Sequence, residues 1–362
     1  MITLKGIGRF EELPEIAMHI YQGNVTALQD AIAAGWDIEK GIVLSEYTTI
    51  SPLDLALVSE KLEVVKLLVE HGVNLNVKNK PAFLKAVRYG KEEIVRYVVA
   101  QGAKLDMLNQ VRSGAYSEAY YGNKKNIPLI QELGLDIRLH GGDVLREAVS
   151  DHDLTTTAYL LDHGVDINYN KPNMVYPYQA TPLTVATRMG NVAMVKYLVE
   201  RGADVMIAEK GGERPYTIAV SNKDTVLAAY LKSLEPAELH DVENRKYELQ
   251  KYKLTEELIG FLTGEELRLE LAENEYAIGY IDFFTLTDTI EMKVGRQKLL
   301  RLSAEIDNYS HLHLVWNPKK KGLIGCYDEE HKEYADLCSF AEFHAQPEVY
   351  LIKFMEGELD SM

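Results

Sequence analysis

Apolar and polar positions along the first two-thirds of the chain follow a helical pattern that recurs in one internal frame. The clearest copy runs Gly-Asn-Val-Ala-Met-Val-Lys-Tyr-Leu-Val-Glu-Arg-Gly-Ala-Asp over 190–204, preceded by Thr181-Pro182-Leu183-Thr184-Val185-Ala186. Thr181 is placed to cap a first helix and Pro182 fits its first turn. Gly202 ends a second helix, where a left-handed backbone costs glycine nothing. The frame returns in Ser51-Pro52-Leu53-Asp54-Leu55-Ala56 ahead of Leu67-Leu68-Val69-Glu70-His71-Gly72, and in Pro81-Ala82-Phe83 ahead of Ala100-Gln101-Gly102. Further copies end at Gly35, Gly134 and Gly164, and a seventh opens with Arg214-Pro215-Tyr216 and lacks the terminal glycine. The starts at 14, 51, 81, 113, 143, 181 and 214 are separated by 37, 30, 32, 30, 38 and 33 residues. The two long intervals carry insertions at 39–50 and 169–180. A second glycine precedes the terminal one by 12 residues at Gly23, Gly90, Gly122 and Gly190, while Glu60 and His152 hold that place elsewhere.

Alanine fills one first-helix position in five copies, at Ala56, Ala86, Ala148, Ala186 and Ala219. A small side chain there lets neighbouring helices approach closely. His19 and Glu118 break the row, which makes the fourth copy the least regular. In the second helices Leu67, Tyr97, Leu129, Tyr159, Tyr197 and Tyr230 share one place, and periodic recurrence of bulky side chains predicts packing.

The period and frame resemble the ankyrin repeat over about 14–240. The resemblance implies an all-α solenoid of about seven helix pairs, which buries its apolar faces only by stacking and serves to bind proteins. In ankyrin proteins the concave surface combines finger tips with exposed positions late in each first helix. Carried onto this chain, those positions are Arg88 and Tyr89, Tyr120 and Tyr121, Ser150 and Asp151, Arg188 and Met189. Tyr, Arg and Met are enriched at interfaces. Tyr169, Tyr176 and Tyr178 on the long insertion form a second candidate set, the alternative being tyrosines packed on their own finger.

The helical frame fades at Lys232-Ser233-Leu234-Glu235-Pro236 and a different pattern takes over in 241–362. Residues 254–262 predict a short amphipathic helix; 267–271, 277–286, 311–316, 323–327 and 332–337 predict strands, with turns at 317–322 and 328–331. Ser339 caps a final helix opening with Phe340-Ala341-Glu342-Phe343. These elements describe an α+β domain with an antiparallel sheet. Leu258, Phe261 and Leu262, then Trp316-Asn317-Pro318, Gly325-Cys326-Tyr327-Asp328 and Ser339-Phe340-Ala341-Glu342-Phe343, give this region a resemblance to the SUKH superfamily over about 250–345. The paired glycines often found after that family's first helix are absent. The resemblance implies a bacterial immunity or inhibitor-type protein that neutralises a protein partner such as a toxin.

Composition narrows the partners. The formal charge is −16, and residues 241–362 carry most of it, with 25 acidic against 14 basic residues. Such a balance, with no basic run longer than Lys319-Lys320-Lys321, argues against nucleic acid and anionic membranes as partners. No apolar run approaches the ~18 residues of a membrane span. The amino terminus lacks the apolar core of a signal peptide, and Cys326 and Cys338 are too few for a disulfide framework, so the expectation is a cytoplasmic protein. No phosphate-binding loop, HExxH or GxSxG motif is present. His311 and His313 alternate along one strand, which favours a hydrogen-bonded surface pair, and Cys326, His331, Cys338 and His344 match no zinc spacing. The sequence therefore predicts no cofactor, no metal and no catalytic residue. It leaves three readings: a protein-binding inhibitor or adaptor, a scaffold with a C-terminal dimerisation module, and an enzyme that docks its substrate on the repeats.

Overall fold

The computed structural model describes residues 1–320 and 322–359. The chain forms two compact units, Met1–Pro177 and Tyr178–Met362, so the boundary expected at 240 falls inside the second.

The first unit opens with a hairpin of β1 (Ile2–Leu4) and β2 (Gly8–Phe10). Five helix pairs follow: α1 (Glu15–Gln22) with α2 (Val25–Ala33), α3 (Pro52–Val58) with α4 (Leu62–Glu70), α5 (Ala82–Tyr89) with α6 (Glu92–Ala100), α7 (Ala115–Tyr121) with α8 (Asn126–Glu132), and α10 (Gly142–Ser150) with α11 (Leu154–Asp162). The insertion at 39–50 is a second hairpin, β3 (Ile42–Ser45) with β4 (Thr48–Ile50), and a single turn, α9 (Ile137–His140), precedes the fifth pair. Local chemistry sets these limits. Ser51 Oγ accepts from Asp54 N at the start of α3, and Asn24 and Asp153 cap α2 and α11 in the same way. At the ends of α2, α4, α6, α8 and α11, Gly35, Gly72, Gly102, Gly134 and Gly164 all have φ between 82° and 105°. The following N–H reaches back into the helix, as Val73 N does to Leu68 O at 3.1 Å, and Val73 is buried.

Two expectations about the frame change. The fourth first helix is capped at Gly114, one residue later than the spacing suggested, and Ala119 takes the small-residue position with no exposure. Glu118 is therefore not an irregular member of the alanine row but its neighbour on another face. Gly90 and Gly122 have negative φ; they are needed for close approach, since a Cβ on Gly122 would lie 2.1 Å from the Arg88 carbonyl oxygen of the adjoining repeat. The bulky row is also more exposed than packing alone requires. Leu67 and Leu129 are buried, but Tyr97 and Tyr159 are only half-buried, the Tyr159 ring stacking on His163 at 4.0 Å.

The second unit begins with two more pairs, α12 (Pro182–Arg188) with α13 (Val192–Glu200) and α14 (Pro215–Ser221) with α15 (Thr225–Lys232), making seven pairs among the described residues. Thr181 and Thr184 cap α12 reciprocally. Beyond α16 (Val242–Glu248) and α17 (Glu256–Leu262) lie two antiparallel sheets. One has the order β5 (Arg268–Glu270), β6 (Tyr280–Phe283), β9 (Ser303–Ile306). The other has the order β12 (Glu333–Ser339), β11 (Leu323–Asp328), β10 (Leu312–Asn317), β8 (Gln297–Arg301), β7 (Ile290–Val294). Helices α18 (Phe340–Ala345), opened by a Ser339–Glu342 capping box, and α19 (Pro347–Met355) follow. The expected turn at 317–322 links β10 to β11; Lys321 within it lies outside the described residues. Leu258, Leu262, Leu300, Leu314, Trp316, Ile324 and Phe343 form the core between helices and sheet, while Leu299, Val315, Tyr327 and Tyr334 pack on the other face of the same strands. Trp316 is wholly buried and its indole N–H donates to Tyr252 O at 2.9 Å.

The seventh repeat is joined to this sheet region by polar groups. Tyr216 on α14 donates to Asp288 Oδ1 at 3.0 Å, Arg301 on β8 reaches Glu213 at 3.0 Å, and Lys223 pairs with Asp282 and Glu305. His313 is buried rather than at the surface, because β10 is a central strand covered on both faces.

Candidate partner-binding surface

Each second helix of the first unit ends in a glycine turn, and in four of the five a carboxylate or amide two residues on then folds the finger. Asp37, Asn74, Asp136 and Asp166 each accept from the backbone N–H two residues ahead at 2.8–2.9 Å. Successive fingers are tied together: Asn74 N donates to Glu39, and Asn76 donates to Gly102 O. Between the fingers and the first helices runs a groove of about 460 Å³. Asp54, Lys85 and Glu118 line it from α3, α5 and α7, and Thr48, Val77 and Val111 from the fingers. Burial raises the Asp54 carboxyl above its ordinary range against the opposing pull of Lys85.

Apolar side chains project from the finger tips. Tyr47 at the tip of the β3–β4 hairpin is 90% exposed, Val111 61%, and Met174 and Val175 on the long insertion 67% and 65%. A single exposed apolar residue is ordinary, but their recurrence on otherwise polar turns marks an edge suited to a partner. The helical frame did not point to these residues, since they lie in the turns it leaves aside. The available signal was large apolar side chains inside polar, turn-rich segments.

The residues carried over from the resemblance fall in several settings. Arg88 is half-buried and donates to Glu118 Oε2 at 2.9 Å, while Asn109 donates to Glu118 Oε1 at 2.8 Å. Tyr89 lies against Gly6, with Lys85 and Arg88 facing its ring. Tyr120 is buried and its hydroxyl donates to Asp151 Oδ2 at 3.0 Å. Tyr121 packs edge-on to Tyr120 yet stays 53% exposed, and Asp151 is exposed. Burial, with Glu147 and Asp151 nearby, pushes the Tyr121 hydroxyl up to about 12. Glu147 is itself pushed up to about 7, burial acting first and Asp143, Glu118 and Asp151 adding to it. The structure thus gathers Tyr120, Tyr121 and Asp151 into one patch.

Tyr176 is buried instead of presented. The Arg146 guanidinium, wholly buried, lies between the Tyr169 and Tyr176 rings at 4.8 and 4.7 Å and pairs with Asp143 at 2.6 Å. Tyr169 and Asn173 also donate to Asp143, so the insertion folds onto α10 and leaves Met174 and Val175 as its outward residues. In the second unit, Arg188 pairs with Glu209 at 2.7 Å and faces the Tyr178 ring, while Met189 is 48% exposed. Burial raises the thiols of Cys326 and Cys338, the latter to about 11. Among the described residues, no group of three or more His, Cys, Asp and Glu side chains is placed to hold a metal ion, and no helix is long and apolar enough to cross a membrane.

Seven helix pairs among the described residues, six of them with a glycine-ended second helix, define a repeat protein whose fold is an interaction module. The family model for ankyrin repeats (three copies) matches residues 16–109, 119–209 and 145–241, more than half of the chain, and the chain belongs to the ankyrin-repeat family. It is similar to the ankyrin repeat and KH domain-containing protein mask-1 of Caenorhabditis elegans, 24% identical over 202 residues that cover 52% of this chain and 8% of that protein. It is also similar to an ankyrin repeat protein of Acanthamoeba polyphaga mimivirus, 23% identical over 180 residues, 48% of this chain and 55% of the other. The chain thus spans 8% and 55% of these relatives' own lengths. The human ASB11 ankyrin repeat domain superposes with a TM-score of 0.47 at 20% identity, covering 62% of this chain and 98% of that one.

Proposed function

We propose that the repeats grip a protein partner along the finger tips and first helices, and that the chain acts by occupying that partner. The observation that carries this reading is the row of exposed apolar tips, Tyr47, Val111, Met174 and Val175, beside a groove of mixed polar and apolar lining. Of the residues expected from the helical frame, Tyr121, Asp151 and Met189 supply contact surface. Arg88, Tyr89, Tyr120, Tyr176, Tyr178 and Arg188 position the elements that carry it. Residues 1–240 serve as the gripping domain and 241–362 as an acidic domain that adds specificity.

The finer role is inhibition of a harmful protein, as in bacterial immunity. Its support is the order of elements after 250: α17, strands, the Trp316 hairpin of β10 and β11, then α18 capped by Ser339, alongside the residues that resemble the SUKH superfamily. The negative charge of that domain suits a basic partner.

The test is capture from cells of the native host by the full chain and by a variant carrying Tyr47→Ser, Val111→Ser, Met174→Ser and Val175→Ser. The substitutions are all at exposed sites, so both proteins should melt together. A partner held by the wild type and lost by the variant is the expected result. An unchanged set of captured proteins refutes the finger surface.

A further inference from the structure

The fingers of the second to fifth repeats carry a charge opposite in sign to the −16 of the whole chain. Residues 72–81, 102–113, 134–140 and 164–177 hold six basic side chains, Lys78, Lys80, Lys104, Arg112, Arg138 and Lys171, against three acidic ones, Asp106, Asp136 and Asp166. Asp136 and Asp166 fold their own turns, and Asp136 also pairs with Arg138 at 2.7 Å. The other five cations are exposed and have no ion-pair partner among the described residues. The first finger departs, with Asp37, Glu39 and Glu46 against Lys40, so the basic strip begins at the second. No run of sequence contains this strip; stacking assembles it. Asn76 donates to Gly102 O and accepts from Lys104 N at 2.7 Å, which holds the second finger beside the third. The first helices α3, α5 and α7 are balanced, Asp54 and Glu118 offsetting Lys85 and Arg88. In α10 Arg146 pairs with Asp143, and burial pushes Glu147 up to about 7.

Each of these fingers also sets an exposed apolar side chain near a cation. Val77 precedes Lys78, Val111 precedes Arg112, Leu139 follows Arg138, and Met174 and Val175 follow Lys171 on the long insertion. Leu139, in the single turn α9, is 70% exposed. Leu105, Leu108 and Leu139 line a hollow of about 170 Å³ between the third and fourth fingers, together with the exposed Arg112 and His140. A cavity of ~150 Å³ accepts a benzene-sized group, so one large apolar side chain fits. A nucleic acid would find the cations, but these fingers expose no aromatic ring on which its bases could stack, and the chain as a whole would repel it. Alternating cations and aliphatic tips instead match a protein segment in which carboxylates alternate with apolar side chains.

We infer that fingers two to five bind an acidic segment of the protein partner, one in which Asp or Glu alternates with large apolar residues. The inference rests on the proposed gripping role of the repeats and adds the chemistry of what is gripped. Carboxylates of the segment meet Lys78, Lys80, Lys104 and Arg112. One apolar side chain enters the hollow beside Leu139, and Val77 and Val111 cover others.

The test selects random peptides displayed on phage against the full chain and measures the selected peptides by fluorescence anisotropy. Enrichment of Asp and Glu together with Leu, Ile, Phe or Trp is the expected result. Raising the salt from ~0.05 M to ~0.5 M should weaken these peptides by at least ~10-fold, because exposed charges are then screened. A variant carrying Lys78→Glu, Lys80→Glu, Lys104→Glu and Arg112→Glu should weaken them by at least ~10-fold as well. The salt series uses the unaltered protein and stands whatever the variant's stability. Selected peptides that are neutral or basic, yet are lost when Val111 and Met174 become serine, overturn this inference and leave the gripping surface intact. Acidic peptides that neither salt nor charge reversal weakens overturn it too, as does a selection that yields no peptide. Tighter binding of a single-stranded oligonucleotide than of any peptide, or self-association of the chain that charge reversal abolishes, also overturns it.

Discussion

Replacing Arg88 by methionine separates a structural residue from a solvated one. The Arg88 side chain is 31% exposed and that of Glu118 10%, at an Nη1–Oε2 distance of 2.9 Å. At an effective dielectric near 20, unit charges ~4 Å apart attract by ~4 kcal/mol before desolvation is counted. Removing one partner of a buried pair costs about 3–5 kcal/mol, and exposed pairs are worth under ~1 kcal/mol. The part exposure of Arg88 places this pair between those limits, at about 2 kcal/mol, with Asn109 still donating to Glu118. For a domain of this size that is a fall of about 4–8 °C in Tm.

The assay is scanning calorimetry of the full chain for Arg88→Met, Glu118→Met and the double variant. Each single change strands a polar or charged partner, whereas the double change leaves an apolar pair. The double variant should therefore recover at least ~1 kcal/mol relative to the sum of the singles. A shift below ~1 °C for Arg88→Met, or strict additivity in the cycle, refutes the assignment of Arg88 to the framework.

Gly122→Ala drives a methyl to within 2.1 Å of the Arg88 carbonyl oxygen and 2.5 Å of its Cγ, and should cost about 1–3 kcal/mol in chemical denaturation; a cost below ~0.5 kcal/mol would show that the repeats do not pack this closely. Glu147 is pushed up to about 7, so the folded chain holds that proton more tightly than the unfolded chain does. Its stabilising contribution is full below the ordinary glutamate value and is lost as pH rises through about 7. Glu147→Gln should match the wild type at pH ~5 and exceed it by roughly 2 kcal/mol at pH ~8; equal differences at both pH values would contradict this.

What was legible in the sequence was the periodic part. Seven helix pairs could be counted because a terminal glycine punctuates six of them and Arg214-Pro215 opens the seventh in the same frame. The slip at the fourth repeat arose because Ser113-Gly114 offers two neighbouring caps; the structure uses Gly114, and only the burial of Ala119 distinguishes them. Strands β7 and β8 escaped notice because Lys293, Arg296, Gln297 and Lys298 cluster about a glycine turn at Gly295, which masks the alternation on either side. The candidate surface was harder to read. Position late in a first helix does not reveal whether an arginine meets a partner or a glutamate 30 residues away, and Arg88 meets Glu118. Tyr176 was ambiguous for the same reason: its neighbour Arg146 comes from α10, and no spacing within 169–180 indicates it.

The change of pattern near 240 marks a change of secondary structure, but it does not mark where packing ends. Tyr216, Glu213 and Lys223 belong to the seventh repeat by sequence, yet Asp288, Arg301, Asp282 and Glu305 from the sheet region complete their hydrogen bonds and ion pairs. A terminal repeat of a solenoid ordinarily carries a polar outer face that water can solvate. Here its polar groups face a second set of polar groups, and Tyr216 and Arg301 are both buried. Cutting the chain at 240 would leave Tyr216 without its carboxylate and Glu213 without its guanidinium, so the sheet region acts as the cap of the stack.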